Sequence, residues 1–355
     1  MKKEVYINSI GSVSVQKTFD DSAFLEDIVT YNDNAIKVVD PNYKEFIPPA
    51  AARRMAKGIK MSAVSSQNAM KEAGLENVDA IIVGTGLGCL GDSEKFVRDI
   101  LDNDEQYLTP TRFIQSSHNT VAGSIALDMG CKGYNFTYVH SNLSFESSLW
   151  DAKLQLATNE AENILVGAVD ELVNHHVETH KFIDHIKKEA VPMEDVLNSG
   201  TKGIVFGEGS HFFVLSNKKQ GSTYSRLIDM GIYNTLPEEK ISETITSFLE
   251  NNKISISDLD GVILGNNGDV EFDSIYKNLG TSLFEENPQL VYKHLSGEYD
   301  TASGFAFWLA NKIFKTGKVP EILRWNNLPI NNPKRLLIYN QYRGKNHSLV
   351  LLEKC

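Results

Sequence analysis

The residues best placed for chemistry are His140, Ser141 and Asn142, inside the stretch Gly133-Tyr-Asn-Phe-Thr-Tyr-Val-His-Ser-Asn-Leu-Ser-Phe-Glu-Ser-Ser-Leu. Its pattern predicts a buried strand over 134–139, a sharp turn at 140–142 and a helix over 144–157. Leu149, Ala152, Leu154 and Leu156 are the inward positions of that helix. A strand-turn-helix junction is a common mount for a nucleophile, because the turn lifts one side chain above a helix N-terminus. Ser141 or Ser144, with His140 or Glu298 as base, could carry acyl transfer or hydrolysis. The same hydroxyls could instead cap the helix that begins at Ser144.

Two other patterns invite a ligand. His176 and His180 have HxxxH spacing, which places both rings on one helix face as metal ligands require. No Glu adjoins His176 in the zinc-protease arrangement and no third ligand is evident, so no metal is expected. The run Gly84-x-Gly-x-Gly ends an apolar strand beginning at Asp79. A dinucleotide fingerprint needs GxGxxG and an acidic residue about 20 positions on. That spacing is missing, and no cofactor is expected.

The elements that must position these residues alternate. A first strand covers 5–15, and 17–45 is a polar surface excursion. Pro48 and Pro49 open a helix that runs through Ala69 and stops at Gly74. A further helix covers 93–102, and small residues at Ala122, Gly123, Ser124 and Ala126 suit a closely packed helix. Asn163-Ile-Leu-Val-Gly-Ala-Val-Asp-Glu-Leu is a strand covered on both faces. Two strand pieces flank the turn Gly207-Glu-Gly.

The second half echoes the first. Asp79-Ala-Ile-Ile-Val-Gly is answered by Asp260-Gly-Val-Ile-Leu-Gly, an offset of 181 residues (265 − 84). The small-residue helix at 122–127 is matched to 302–307, Asn163-Ile-Leu-Val-Gly to Arg335-Leu-Leu-Ile-Tyr, and His211-Phe-Phe-Val-Leu to Ser348-Leu-Val-Leu-Leu. Both halves, 1–220 and 221–355, are therefore expected to be α/β, related by a pseudo-twofold axis in one compact unit, with functional residues on turns where the halves meet.

Composition sets the remaining bounds. Of 355 residues, 41% are hydrophobic and 23% charged, an ordinary globular balance. The net charge of −11 argues against a dedicated nucleic-acid binder. Arg53, Arg54, Lys57 and Lys60 nevertheless cluster, either as a solvated helix face or to meet an acidic partner. Cys89, Cys131 and Cys355 have no paired spacing, which reads as a reduced protein. Without a signal-like N-terminus or a membrane-length apolar run, a soluble cytoplasmic protein is expected.

Taken in order, Arg53-Arg-Met, Ala73-Gly-Leu, Asn119 with Ala122-Gly, Gly133 with its strand and helix, Val166-Gly-Ala-Val-Asp-Glu, Gly207-Glu-Gly-Ser-His and Lys293-His-Leu-Ser-Gly resemble the β-ketoacyl-ACP synthases of the thiolase fold across nearly the whole chain. The resemblance implies two duplicated βαβαβαββ halves in five layers, αβαβα. It also implies a Cys at the turn tip and two His residues from second-half turns. Here the Cys position holds Asn142, and the two His positions hold Asn267 and Glu298; of this group only Lys293 matches. The C-terminal glycine-rich gate reads Gln341-Tyr-Arg-Gly-Lys-Asn, with Tyr342 in the Phe place and Arg343 for a Gly.

Loss of all three reacting groups makes the chain similar to the family's non-catalytic chain-length factors. The resemblance then implies a pseudoenzyme that pairs as a heterodimer with a Cys-containing ketosynthase, meets acyl carrier protein through that complex, and shapes an acyl tunnel for a polyketide, aryl polyene or flexirubin-type product. Tunnel or gate positions implied are Phe113, Gln115, His118, Asn119 and Tyr342. Other readings remain: an acyltransferase using Ser141, a carboxylate pair of Asp269 and Glu298, or a homodimeric acyl-binding scaffold.

Overall fold

The computed structural model describes residues 4–20 and 24–355. In the first half the strands are β1 (Val5–Val13), β2 (Asn32–Asp33), β3 (Ala80–Gly84), β4 (Tyr134–Tyr138), β5 (Asn163–Asp170), β6 (Val191–Pro192) and β7 (Gly209–Ser216). Its helices are α1 (Pro49–Ala52), α2 (Lys57–Ala73), α3 (Leu90–Asp102), α4 (Pro110–Gln115), α5 (Thr120–Met129), α6 (Ser144–Thr158) and α7 (Asn174–Phe182). The second half holds β8 (Ser225–Tyr233), α8 (Ile241–Asn251), β9 (Gly261–Leu264), α9 (Ser274–Gly280), β10 (Gln289–Val291), α10 (Lys293–Ser296), α11 (Ser303–Thr316), β11 (Arg335–Tyr342) and β12 (Asn346–Lys354).

The duplication is written into strand pairing. The first half orders its strands β4-β3-β5-β7-β1 and the second β10-β9-β11-β12-β8. Within each, the second strand is parallel to its two neighbours, and the last is antiparallel to both of its own. A short pairing of Val5–Ile7 with Ser225–Leu227 joins the two sets into one ten-stranded sheet. Three of the four expected matches fall on topological equivalents: β3 with β9, β5 with β11, and β7 with β12. The fourth does not. The segment at 302–307 starts α11, whose equivalent between third and fourth strands is α6, not the small-residue helix α5. Small residues are called for wherever backbones approach, so composition alone cannot tell one such helix from another.

Side-chain alternation along the strands produces the layers. Ile82, Val166, Phe213, Ile338 and Val350 face a shared core with Phe145 and Leu149 of α6 and Phe305 and Phe307 of α11. Their neighbours Ile81, Leu165 and Phe212 face α2 and α5, and Leu337 and Leu349 face α8 and α9. Five layers result, with α6 and α11 in the middle.

Four local expectations change. The helix opened by Pro49 breaks at residues 53–56, because the Ala56 N–H is taken by Gln115 Oε1 at 2.7 Å and its ψ of 157° is extended. It restarts as α2 and does end at Gly74, whose φ of +65° closes the C-cap. β4 is not buried. Among the described residues it is an edge strand paired only with β3, and Tyr134 and Phe136 are each 44% exposed. In α6, Leu149, Ala152 and Leu156 are buried as expected, but Leu154 points outward, two residues out of phase with that stripe. Before β7, Ile204 and Phe206 make only single bridges rather than a strand.

Candidate functional site

β4 delivers the chain to the turn, and the turn is stitched by a side chain. Ser144 Oγ accepts a hydrogen bond from the His140 N–H at 2.8 Å and donates to the Ser141 carbonyl at 2.6 Å. It therefore braces the turn instead of capping α6, whose N-terminus has no side-chain cap. Ser141 sits at φ +48°, a region costly for a residue with a Cβ. Its Oγ donates to Asp300 Oδ1 at 3.0 Å. His140 turns away, with Nδ1 3.3 Å from Ser147 Oγ. Neither base expected for Ser141 is hydrogen-bonded to it.

The glycine run explains how the β3 exit reaches this turn. A Cβ on Gly84 would lie 2.4 Å from the Ser144 carbonyl oxygen, and one on Gly86 would lie 1.8 Å from Asp300 Oδ2. The glycines serve close backbone approach within the protein. Gly84→Ala is expected to cost about 1–3 kcal/mol through overpacking against rigid backbone. Urea unfolding would show it as a lower midpoint with an unchanged slope; an unchanged midpoint would refute the tight contact.

Asp170, at the end of β5, joins the halves. Its Oδ1 accepts from the Gly86 N–H at 2.8 Å and Thr85 Oγ1 at 3.1 Å, and its Oδ2 accepts from the Thr301 N–H and Oγ1 at 2.9 and 2.8 Å. Burial, then the nearby Asp170 charge, pushes the Asp300 carboxyl up to about 7. Asp170 and Asp300 were not singled out from sequence. Ser141 and Asp300 lie 159 residues apart, and nothing local to either marks the pair.

Asn142 does not share the tip with Ser141. It is buried, its Oδ1 accepts from Asn346 Nδ2 at 3.0 Å, and its own Nδ2 has no partner among the described residues. The other positions named from the resemblance form one network. Glu298 Oε2 takes Lys293 Nζ at 2.6 Å and Asn267 Nδ2 at 2.8 Å, and Lys293 Nζ also donates to Asn340 Oδ1 at 2.7 Å. Asp269 shares Asn267 with this network, through its N–H to Asn267 Oδ1 at 3.1 Å, but no hydrogen bond links its carboxylate to Glu298.

A cavity of ≈ 210 Å³ opens beside the turn. It is lined by Ser141, Asn267, Asp269, Glu298 and Tyr342 among the expected residues, and also by His176, His180, His185, Asp300 and Arg343. Asn142 and Lys293 are not on its wall, nor are Phe113, Gln115, His118 and Asn119. Those four lie on α4 and the turn after it. Phe113 is 62% exposed with its ring 5.4 Å from Phe96, and Gln115 holds the α1–α2 break. The His176 and His180 rings are 4.1 Å apart, yet among the described residues no three His, Cys, Asp or Glu side chains are grouped to hold a metal ion. No cysteine lines the cavity. Cys89 is buried elsewhere, and burial pushes its thiol well up. The site thus offers the Ser141 hydroxyl beside the Asp300 carboxyl, and no thiol.

Residues 14–221 match the family model described as the β-ketoacyl synthase N-terminal domain. The chain belongs to the β-ketoacyl synthase family, and its architecture is the thiolase-like fold. Over 189 residues it is 21% identical to 3-oxoacyl-[acyl-carrier-protein] synthase 2 of Staphylococcus aureus strain N315, covering 50% of this chain and 45% of that protein. The chain therefore spans about half the length of the curated relatives it matches. Whole-chain likeness comes from solved structures. The ishigamide ketosynthase/chain length factor covers all of both chains at TM-score 0.79 and 15% identity. A β-ketoacyl synthase from Burkholderia phymatum STM815 reaches 0.82 at 13% identity, over 99% of this chain and 100% of that one. A ketosynthase in complex with its chain length factor, from Xenorhabdus doucetiae, reaches 0.77 at 14% identity, over 99% and 98%. At such identities these establish the fold. No helix among the described residues is long and apolar enough to cross a membrane.

Proposed function

We propose that this chain is a non-catalytic member of its family, a chain-length-factor-like subunit that pairs with a Cys-containing ketosynthase in polyketide or fatty-acid-type synthesis. The observation that carries the reading is the saturated Lys293–Glu298–Asn267 network. At the positions where the resemblance implies the family's decarboxylating histidines, it presents neither an imidazole nor a thiol to a substrate. An aryl polyene or flexirubin-type product is the finer form of the proposal.

Two surfaces support the partners. β4 leaves one edge unpaired and exposes Tyr134 and Phe136, with Trp150 and Leu154 of α6 and Leu127 of α5 exposed on the elements that flank it. An apolar sheet edge of this kind suits pairing with a second subunit. Phe113 is exposed as well, and a partner seated there would bring it towards that partner's acyl chain. Arg53, Arg54, Lys60, Lys95 and Arg98 line a separate concave surface that complements an acidic carrier protein.

Co-expression with a ketosynthase encoded beside it is expected to yield a stable 1:1 complex. Phe136→Asp with Trp150→Glu should weaken it by at least about 2 kcal/mol, roughly 30-fold in Kd. Failure to form a complex with any neighbouring ketosynthase would overturn the pairing, and homodimers of the chain alone would favour the scaffold reading. The Ser141–Asp300 contact favours one second reading, acyl transfer to the Ser141 hydroxyl. It predicts turnover of malonyl- or acyl-carrier protein by the lone chain, abolished by Ser141→Ala; the subunit reading predicts none.

A further inference from the structure

We propose that the cavity binds a small amphiphilic anion, with a carboxylate or phosphate head held by Arg343 and an apolar body lying against Phe206 and Phe272. Arg343 has φ +49°, a left-handed conformation that glycine adopts freely and arginine does not. Retaining an arginine there is an outlier of the kind that collects at ligand sites. The side chain is half-buried, and its guanidinium lies 4.8 Å from the centre of the Phe272 ring. Among the described residues it has no carboxylate within ion-pair distance and no hydrogen-bond partner. A partly desolvated cation without a counterion is costly, and an anion supplied from outside removes that cost.

Among the described residues the acidic groups on the same wall form no ion pair with it, and each accepts its hydrogen bonds from other groups. Glu298 is held by Lys293, Asp170 by Thr85, Gly86 and Thr301, and Asp300 by Ser141. Glu171 takes the N–H groups of Gly58 and Gly91, and Asp269 that of Glu271.

Histidines complete the head-group site. His180 Nδ1 and His185 Nδ1 are 3.2 Å apart, and the His176 ring packs 5.4 Å from Phe206. Burial first, and then the Arg343 charge, lowers the pKa of both His180 and His185, while Asp269 and Glu271 pull His185 the other way. Burial takes His176 down to about 4. The rings are therefore neutral near pH 7 and can donate N–H groups to an oxyanion without adding charge to an empty site. Beyond the head group, Ile186 and Ile204 extend the apolar wall. The inference concerns this chain's own cavity and does not depend on the partner proposed above.

The test is titration calorimetry on the full chain at pH 7 with hexanoate, hexyl phosphate and the neutral analogue hexanol. At least one of the two anions is expected to bind 1:1 and at least 10-fold more tightly than hexanol. The tighter of the two identifies the head group as carboxylate or phosphate. Arg343→Gly relieves the backbone strain, so it should fold, and it should weaken anion binding at least 10-fold. Arg53→Ala, on a different surface, should leave binding unchanged. Arg343→Gln repeats the test with a side chain of similar length. Equal affinity for hexanol, no binding of either anion, or unchanged binding in both Arg343 variants would overturn the proposal.

Discussion

Lys293→Met is expected to destabilise the protein by about 3–5 kcal/mol, the usual cost of leaving one member of a buried ion pair uncompensated. Lys293 is 1% exposed and Glu298 4%. Removing the ammonium leaves the Glu298 carboxylate with only the Asn267 amide, and leaves Asn340 Oδ1 without its lysine donor. The double variant Lys293→Met/Glu298→Gln removes both charges, and should recover much of the loss because a buried pair contributes little net stability over neutral groups of similar volume. Urea denaturation of the two single variants and the double variant gives the coupling directly. If Lys293→Met costs less than about 1 kcal/mol, or if the double variant is no better than the single, the network is not the closed unit described.

The second large effect is a pH dependence. The Asp300 carboxyl is held at about 7 against an ordinary 3.8, first by burial and then by Asp170. The folded state therefore binds a proton there that the unfolded chain has already released between these limits, and stability must fall as pH rises. The contribution is fully present below about pH 4 and is lost progressively through about pH 7, on the order of 4 kcal/mol at most. Asp300→Asn keeps a neutral acceptor for Ser141 Oγ and should flatten this part of the profile, making the variant more stable than the parent at pH 8. Unfolding midpoints from pH 4 to pH 8 decide it. Parallel profiles for the variant and the parent would mean that Asp300 is an ordinary carboxylate.

How far the site could be read from sequence depended on how local its signals were. The strand, turn and helix at 134–158 were legible because alternation and helical phase are written in neighbouring residues. Leu154 was misassigned because a leucine placed two positions off the buried stripe looks the same in a composition count. The edge exposure of β4 was not legible. Whether a strand is central or peripheral follows from pairing order, and an apolar edge strand reads like a buried one. The glycine run was recognised as a tight exit, but the Ser144 and Asp300 atoms it accommodates come from distant parts of the chain.

By itself, the sequence determined the duplicated α/β order, the family, and the presence of Asn142, Asn267 and Glu298 where the resemblance implies a Cys and two His residues. Each of these depends only on residue types in register. The tertiary structure decided which side chain at the turn faces the cavity. A positive φ at Ser141 turns its hydroxyl to Asp300, while Asn142 is drawn under Asn346. It also decided that Glu298 and Lys293 neutralise each other and that Arg343 has no such partner among the described residues. Contacts between residues far apart in sequence arise only when the two halves pack, and they leave no periodic trace in either one.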